Sequence, residues 1–191
     1  MDTGEVIKTS DDGTMRVRLA PDNDARNPRE EYDHAASVIV RWYRPYDEGE
    51  QEQGPLLHAW EHYARRYRVS AAMEMFRTYA IAFHGATVKE HQLSRDAWAL
   101  WYITAETAAK EGITDPGACL DAEMSEYQAY LDGDVYGYII ERRVTWSPVD
   151  DEDEYRTMET WDEVESCWGY YGCDYAVEAA IEAFNNNVTA P

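Results

Sequence analysis

His58-Ala59-Trp60-Glu61-His62 is the segment whose residue types and spacing come nearest to a catalytic apparatus. On a helix, imidazoles at i and i+4 share one face and can grip a metal ion, with the glutamate between them as general base, as in some zinc peptidases. The same spacing describes a solvated face, since His58 and His62 align with Arg65 opposite the apolar stripe Leu56, Trp60, Tyr63 and Tyr67. No third ligand is marked, and short motifs of this kind recur by chance. A solvated face is therefore the expectation, and a small metal-dependent enzyme using His58, Glu61 and His62 the alternative. Cys119, Cys167 and Cys173 form no C-x-x-C pair and leave one over, so reduced thiols are expected. Cys167 lacks the basic or histidine neighbour that would make its thiol a nucleophile. His84 and His91 can serve as acid and base beside a carboxylate, but nothing in the sequence brings them together. Walker, G-x-G-x-x-G and G-x-S-x-G patterns are absent. The expectation is a protein that is not an enzyme and has neither metal nor cofactor.

Charge is the stronger signal. The 191 residues include 38 acidic and 17 basic side chains, a formal net charge of -21. Residues 1 to 110 carry 18 acidic and 14 basic side chains, a balance of -4, whereas residues 111 to 191 carry 20 and 3, a balance of -17. Nucleic acid is repelled by such a surface, because binding it requires cations that displace condensed counterions. A basic protein surface is attracted and steered in. The aromatic set Tyr136, Tyr138, Trp146, Trp161, Trp168, Tyr170 and Tyr171 can stack bases in principle. With so few cations nearby, packing within the core and at an interface is the better reading. Adaptation to high salt would acidify the whole surface, so the asymmetry points instead to a dedicated acidic face.

The elements that must position these groups follow from pattern. Asp115-Pro116 reads as a helix start and Gly133 as its end, with Leu120, Met124, Tyr127 and Leu131 on one face and Asp121, Ser125, Gln128 and Asp132 on the other. After Gly133 the period becomes two, with Tyr136, Tyr138, Ile140, Val144 and Trp146 pointing one way and Glu141, Arg143 and Thr145 the other. Ser147-Pro148 and the acidic run that follows break the strand, and Val164, Ser166, Trp168 and Tyr170 alternate in an antiparallel return. A last helix follows Asp174, with Val177, Ala180, Ile181 and Phe184 inward. Residues 14 to 20, 36 to 43 and 98 to 103 read as further strands, and Pro55 opens a helix. Thr104 caps a short helix ended by Gly112. Ser70 to His84 supports both periods: Ala72, Phe76, Tyr79 and Phe83 have helical spacing, and Tyr79, Ile81 and Phe83 alternate. The expected architecture is a single α+β domain with a largely antiparallel sheet and about four helices, with residues 1–13 and 186–191 as flexible tails. No apolar run approaches ~20 residues, and the acidic start lacks the regions of a signal peptide.

EYQAYLDGDVYGYIIE followed by SCWGYYG resembles the C-terminal signature of a widespread family of small phage-encoded proteins of unknown function. DNDARNPREEYDHAASVIVRWYRPYDEGE resembles that family's N-terminal block, and FHGATV with DAWALWYIT its central block, so the resemblance spans roughly residues 15 to 172. RWYRPY stands where the family has a histidine-rich run, and Asp96-Ala97-Trp98 where it has cysteine-proline-tryptophan. The resemblance implies a phage origin, and hence the cytoplasm of an infected bacterial host. It favours a strand for the second half of Ser70 to His84 and transfers no catalytic residue.

The expected function is inhibition of a host nucleic-acid-handling protein, by a carboxylate face that mimics DNA and occupies its basic groove. The residues expected to form that face are Asp121, Glu123, Glu126, Asp132, Asp134, Asp150, Asp151, Glu152, Asp153, Glu154, Glu159, Asp162, Glu163 and Glu165. No direct contact with nucleic acid or membrane is expected. A third reading is a host-takeover adaptor that binds through its aromatics.

Overall fold

The structure is a computed structural model that describes residues 4–42, 54–95, 97–146 and 157–189. In chain order the elements are β1 (Glu5–Thr9), β2 (Met15–Pro21), α1 (Pro28–Glu31), β3 (Ser37–Trp42), α2 (Leu57–Ala64), α3 (Val69–His84) and β4 (Thr87–Ser94). They continue with β5 (Ala97–Ile103), α4 (Ala105–Glu111), α5 (Pro116–Asp132), β6 (Val135–Trp146), β7 (Met158–Tyr171) and α6 (Cys173–Thr189). The fold is α+β with antiparallel pairing throughout, as expected, but in two sheets. Six helices occur among the described residues against about four expected, one of them a single turn. The chain groups into two compact units, residues 28–131 and residues 1–27 with 132–191.

In the unit of residues 28–131 the sheet runs β3-β5-β4. Central β5 is buried at every position, so it reads as an unbroken apolar run rather than an alternating one. Trp98, Leu100 and Tyr102 pack with Trp60 of α2 and with Ala72, Phe76 and Ala80 of α3. Ala97, Ala99, Trp101 and Ile103 pack with Ala108 of α4 and Leu120 of α5. The whole of Val69–His84 is helical, which corrects the strand expected for its second half. The spacing of Ala72, Phe76 and Ala80 is the pattern that burial uses; Ile81 and Phe83 of the competing alternation are 51% and 75% exposed. The α2 helix also stops early, at Ala64, leaving Tyr67 of the expected stripe exposed. Elsewhere local signals act as read: Asp115 Oδ1 accepts from the Ala118 amide at 3.0 Å, and Thr104 Oγ1 from the Thr107 amide at 3.1 Å.

In the other unit the order is β1-β2-β6-β7. Met15 and Val17 of β2 and Tyr138 and Ile140 of β6 form a core with Ala180 and Phe184 of α6. Residues 5 to 9, expected to belong to a flexible tail, form β1 instead. The reason lies in the turn: Asp12 accepts from Ser10 Oγ at 2.6 Å and from the amide and hydroxyl of Thr14 at 3.0 and 2.8 Å. Residues 186 to 189, at the other expected tail, continue α6.

Candidate functional site

The H-x-x-E-H segment lies on α2 with Trp60 buried between its polar members. His58 is fully solvated, its Nδ1 3.8 Å from Glu61 Oε2, and Arg65 Nη2 lies 3.7 Å from the same carboxylate oxygen. The Arg66 guanidinium donates to His62 Nε2 at 3.1 Å. Arg66 thus occupies the His62 Nε2 lone pair that a metal would need. Among the described residues no three His, Cys, Asp or Glu side chains cluster as metal ligands. All three cysteines are free. Cys119 has its thiol pushed up by burial and by Glu123, to which it donates at 3.6 Å. His84 lies 3.3 Å from the Tyr79 hydroxyl at the end of α3.

The expected acidic residues are distributed over both units. Asp121, Glu123 and Glu126 belong to the unit of residues 28–131, and the others to the second unit. Glu123 accepts from the Ala35 amide at 3.0 Å and from the Ala36 amide at 3.2 Å, and pairs with Arg29 at 3.3 Å. Both of these charged side chains are about nine-tenths buried. Glu123 therefore ties α5 to the segment entering β3. Glu126 pairs with His34 at 3.3 Å, and Asp121 with Lys89. Asp150, Asp151, Glu152, Asp153 and Glu154 lie outside the described residues.

Two bulges in β7 divide the rest. The register skips one β7 residue opposite Gly137 and another between Ile140 and Glu141, so the fourteen residues of β7 face the twelve of β6. Each bulge resets which side chains point to which side. Glu165, paired with Ile140, points to the α6 side, where it accepts from the Tyr138 hydroxyl at 2.7 Å and from Asn187 at 2.8 Å. These bonds, Asn187's first, hold its carboxyl below the usual range. The same carboxylate and burial push the Tyr138 phenol far up, burial being the larger cause. Neighbouring Tyr170 is pushed up to about 12, chiefly by burial. Glu163 pairs with Glu141 on the opposite side, and Glu159 stands 3.8 Å from Arg143. Asp134 accepts from Tyr136, whose phenol is raised by that bond. Asp162 is exposed without an ion pair among the described residues, and Asp132 is exposed at the end of α5.

The face opposite α6 carries a buried carboxylate absent from the expected set. Glu141 accepts from Arg16 Nε at 2.6 Å and from Arg18 Nη2 at 2.9 Å, and Arg16 lies over the Trp161 ring at 4.1 Å. The indole of Trp168 lies over Gly137, where a Cβ would run into the ring. Gly169 beside it takes φ 84°, a left-handed value open to glycine at low cost. Tyr171 donates to the Arg26 carbonyl at 2.7 Å. Trp161 and Tyr171 are half-buried and Trp168 is 45% exposed, whereas Trp146 and its cross-strand partner Met158 are 60% and 72% exposed.

Sequence reading missed a second acidic line. Asp174, Glu178 and Glu182 recur every four residues along α6, all exposed and none ion-paired among the described residues. At 1.5 Å rise per residue their Cα atoms are about 6 Å apart along the axis. The i, i+4, i+8 spacing is legible in the sequence.

A groove of about 610 Å³ lies in the unit of residues 28–131. Val69, Ser70 and Met73 of α3 form one wall, Glu90, His91 and Gln92 of β4 the other, with Ala97 and Trp98 of β5 completing the lining. Comparison of the chain with models of known protein families, with curated proteins and with solved structures gives no match.

Proposed function

We propose that this is a phage-encoded binding protein, not an enzyme, that occupies the basic nucleic-acid groove of a host defence protein in the bacterial cytoplasm. The observation that carries this reading is the charge of the unit built from residues 1–27 and 132–191, 21 acidic against 7 basic residues, a formal balance of -14. The other unit has 17 against 10, a balance of -7. Duplex DNA presents about one charge per 1.7 Å of axis. Asp174, Glu178 and Glu182 on α6, with Asp162 on β7, display fixed carboxylates toward a partner at little ordering cost. Glu123, Glu126 and Glu165 serve mainly to hold their own units together.

The test is capture of host proteins on the tagged chain, washed at low and at high salt, with a variant carrying Asp174→Lys, Glu178→Lys and Glu182→Lys beside the native chain. Nucleic-acid-handling proteins that elute with salt and are lost on the variant support the reading. The same partners held with the same salt dependence by the variant would overturn it.

A further inference from the structure

We propose that the uncovered end of the β6–β7 ribbon, Val144, Trp146 and Met158, is the apolar anchor of the contact with a basic partner. It takes an arginine and an adjoining apolar side chain of that partner. The proposal rests on the reading of the partner as basic and adds which residues hold it once salt screens the charge.

α6 stops short of the end of the ribbon. Asn187 in its last turn donates to Glu165, which pairs with Ile140, and β6 runs six residues further to Trp146, about 20 Å. β2 also falls away, its register ending at Arg142 and the Thr14 carbonyl accepting from the Arg143 amide at 2.8 Å. Beyond Arg143, β7 is the only strand neighbour of β6 among the described residues. A two-stranded ribbon is marginal in water unless something packs on it. On the side that α6 covers further back, alternation places Val144 and Trp146 with their cross-strand partners Thr160 and Met158.

The opposite side of the same ribbon shows what such an indole accepts. There Arg16 lies over the half-buried Trp161 ring at 4.1 Å. Trp146 has no cation over its ring among the described residues. Charge selects the partner that supplies one. The unit has a formal balance of -14, Asp162 on the same strip is exposed, and the last turn of α6 carries no basic residue against its partial negative charge. A second copy brings the same excess of negative charge, whereas a basic surface is attracted. A guanidinium drawn in by this field stacks on the Trp146 face, a contact that strengthens as water leaves. Met158 and Val144 seat the apolar residue beside it. Tryptophan and arginine at the centre with charge at the rim is the arrangement in which a few residues hold most of the affinity.

The full chain is titrated with a short labelled peptide of arginine, leucine and glycine, at low and at high salt. Trp146→Ser and Met158→Ser change exposed side chains, so each keeps the native circular dichroism and melting curve. Each is expected to weaken the peptide by about tenfold at both salt concentrations. Counterpart peptides with lysine for arginine, or serine for leucine, bind the native chain more weakly at high salt by about fivefold or more. No binding by the native chain, native affinity in both variants, or counterparts that bind as tightly as the parent would each overturn the proposal. A native dimer that the two variants abolish would assign the strip to a second copy and overturn it as well. The reversal of Asp174, Glu178 and Glu182 to lysine separates the two readings. Unchanged affinity and salt dependence in that variant, with loss in Trp146→Ser, removes the acidic line and leaves the anchor; the opposite pattern removes only the anchor.

Discussion

Glu123 on α5 and Glu178 on α6 are carboxylates near the middle of seventeen-residue helices, yet they do opposite work. Glu123 turns inward, receives two backbone amides and faces a buried arginine. Glu178 is exposed, in line with two other acids and no cation among the described residues. The contrast extends to the two units around them. In residues 28–131 the acids on α5 pair with Arg29, Lys89 and the His34 imidazole of the same unit, so that these three carboxylates are internal wiring. In the other unit the α6 acids are left to solvent, and charge that no intramolecular partner neutralises is charge available for another molecule. A count of carboxylates alone does not separate these roles; their partners do.

The contrast breaks most easily at Glu123. Glu123→Ala removes the acceptor of two amides and the carboxylate that pairs with the buried Arg29, and we expect a loss of about 3 kcal/mol in urea unfolding. A loss below about 1 kcal/mol would place Glu123 with the surface acids.

Glu141 sharpens the comparison, being an internally wired acid in the more acidic unit. Burial, the largest influence, raises its carboxyl, but the bonds from Arg18 and Arg16 and their charges outweigh it, so the folded carboxyl lies below its ordinary value of 4.5. A lowered folded value means a stabilising contribution that is complete above that ordinary value and lost as pH falls through the folded one. We expect Glu141→Gln to cost about 2 kcal/mol at neutral pH. Its urea midpoint should also decline less steeply than that of the native chain as the solution is acidified below pH 4.5. Parallel declines would show that Glu141 is not part of the acid response.

Gly137→Ala tests the bulged strand that divides the acids between two faces. The new methyl meets the Trp168 ring, and overpacking of this kind costs about 1–3 kcal/mol. A shift in tryptophan emission should accompany it, and unchanged emission and stability would mean that the indole does not rest on Gly137. The smallest effect on stability belongs to the triple reversal Asp174→Lys, Glu178→Lys and Glu182→Lys, expected within about 0.5 kcal/mol per site by thermal unfolding. A large stability loss there would show that these acids too are structural and would remove the contrast.

Much of the fold was legible where a short-range rule sufficed. Thr104 and Asp115 announced their helices because a side-chain oxygen reaches the amide three residues on, whatever the rest of the chain does. β2 and the first half of β6 announced themselves by alternation. β1 escaped because Glu5–Thr9 is short, with only Val6 and Ile7 apolar, and its pairing depends on the Asp12 turn. The Tyr79, Ile81, Phe83 alternation misled because periodicity alone cannot say which of two overlapping patterns finds a partner surface. Of the candidate acids, the sequence indicated the region but not the faces.

The sequence by itself determined the α+β class, the helix starts that have caps, the uneven charge and the absence of the familiar nucleotide and hydrolase motifs. Composition and near-neighbour chemistry are enough for those properties. Tertiary structure decided which carboxylates are already spoken for. It shows Glu123 beside Arg29, ninety-four residues away along the chain, and Glu141 beside Arg16, 125 residues away. It also shows one extra residue in β7, Val164, that turns Glu163 and Glu165 to opposite sides. Electrostatic partners and strand register are set by distance in space, and sequence order does not encode that distance locally.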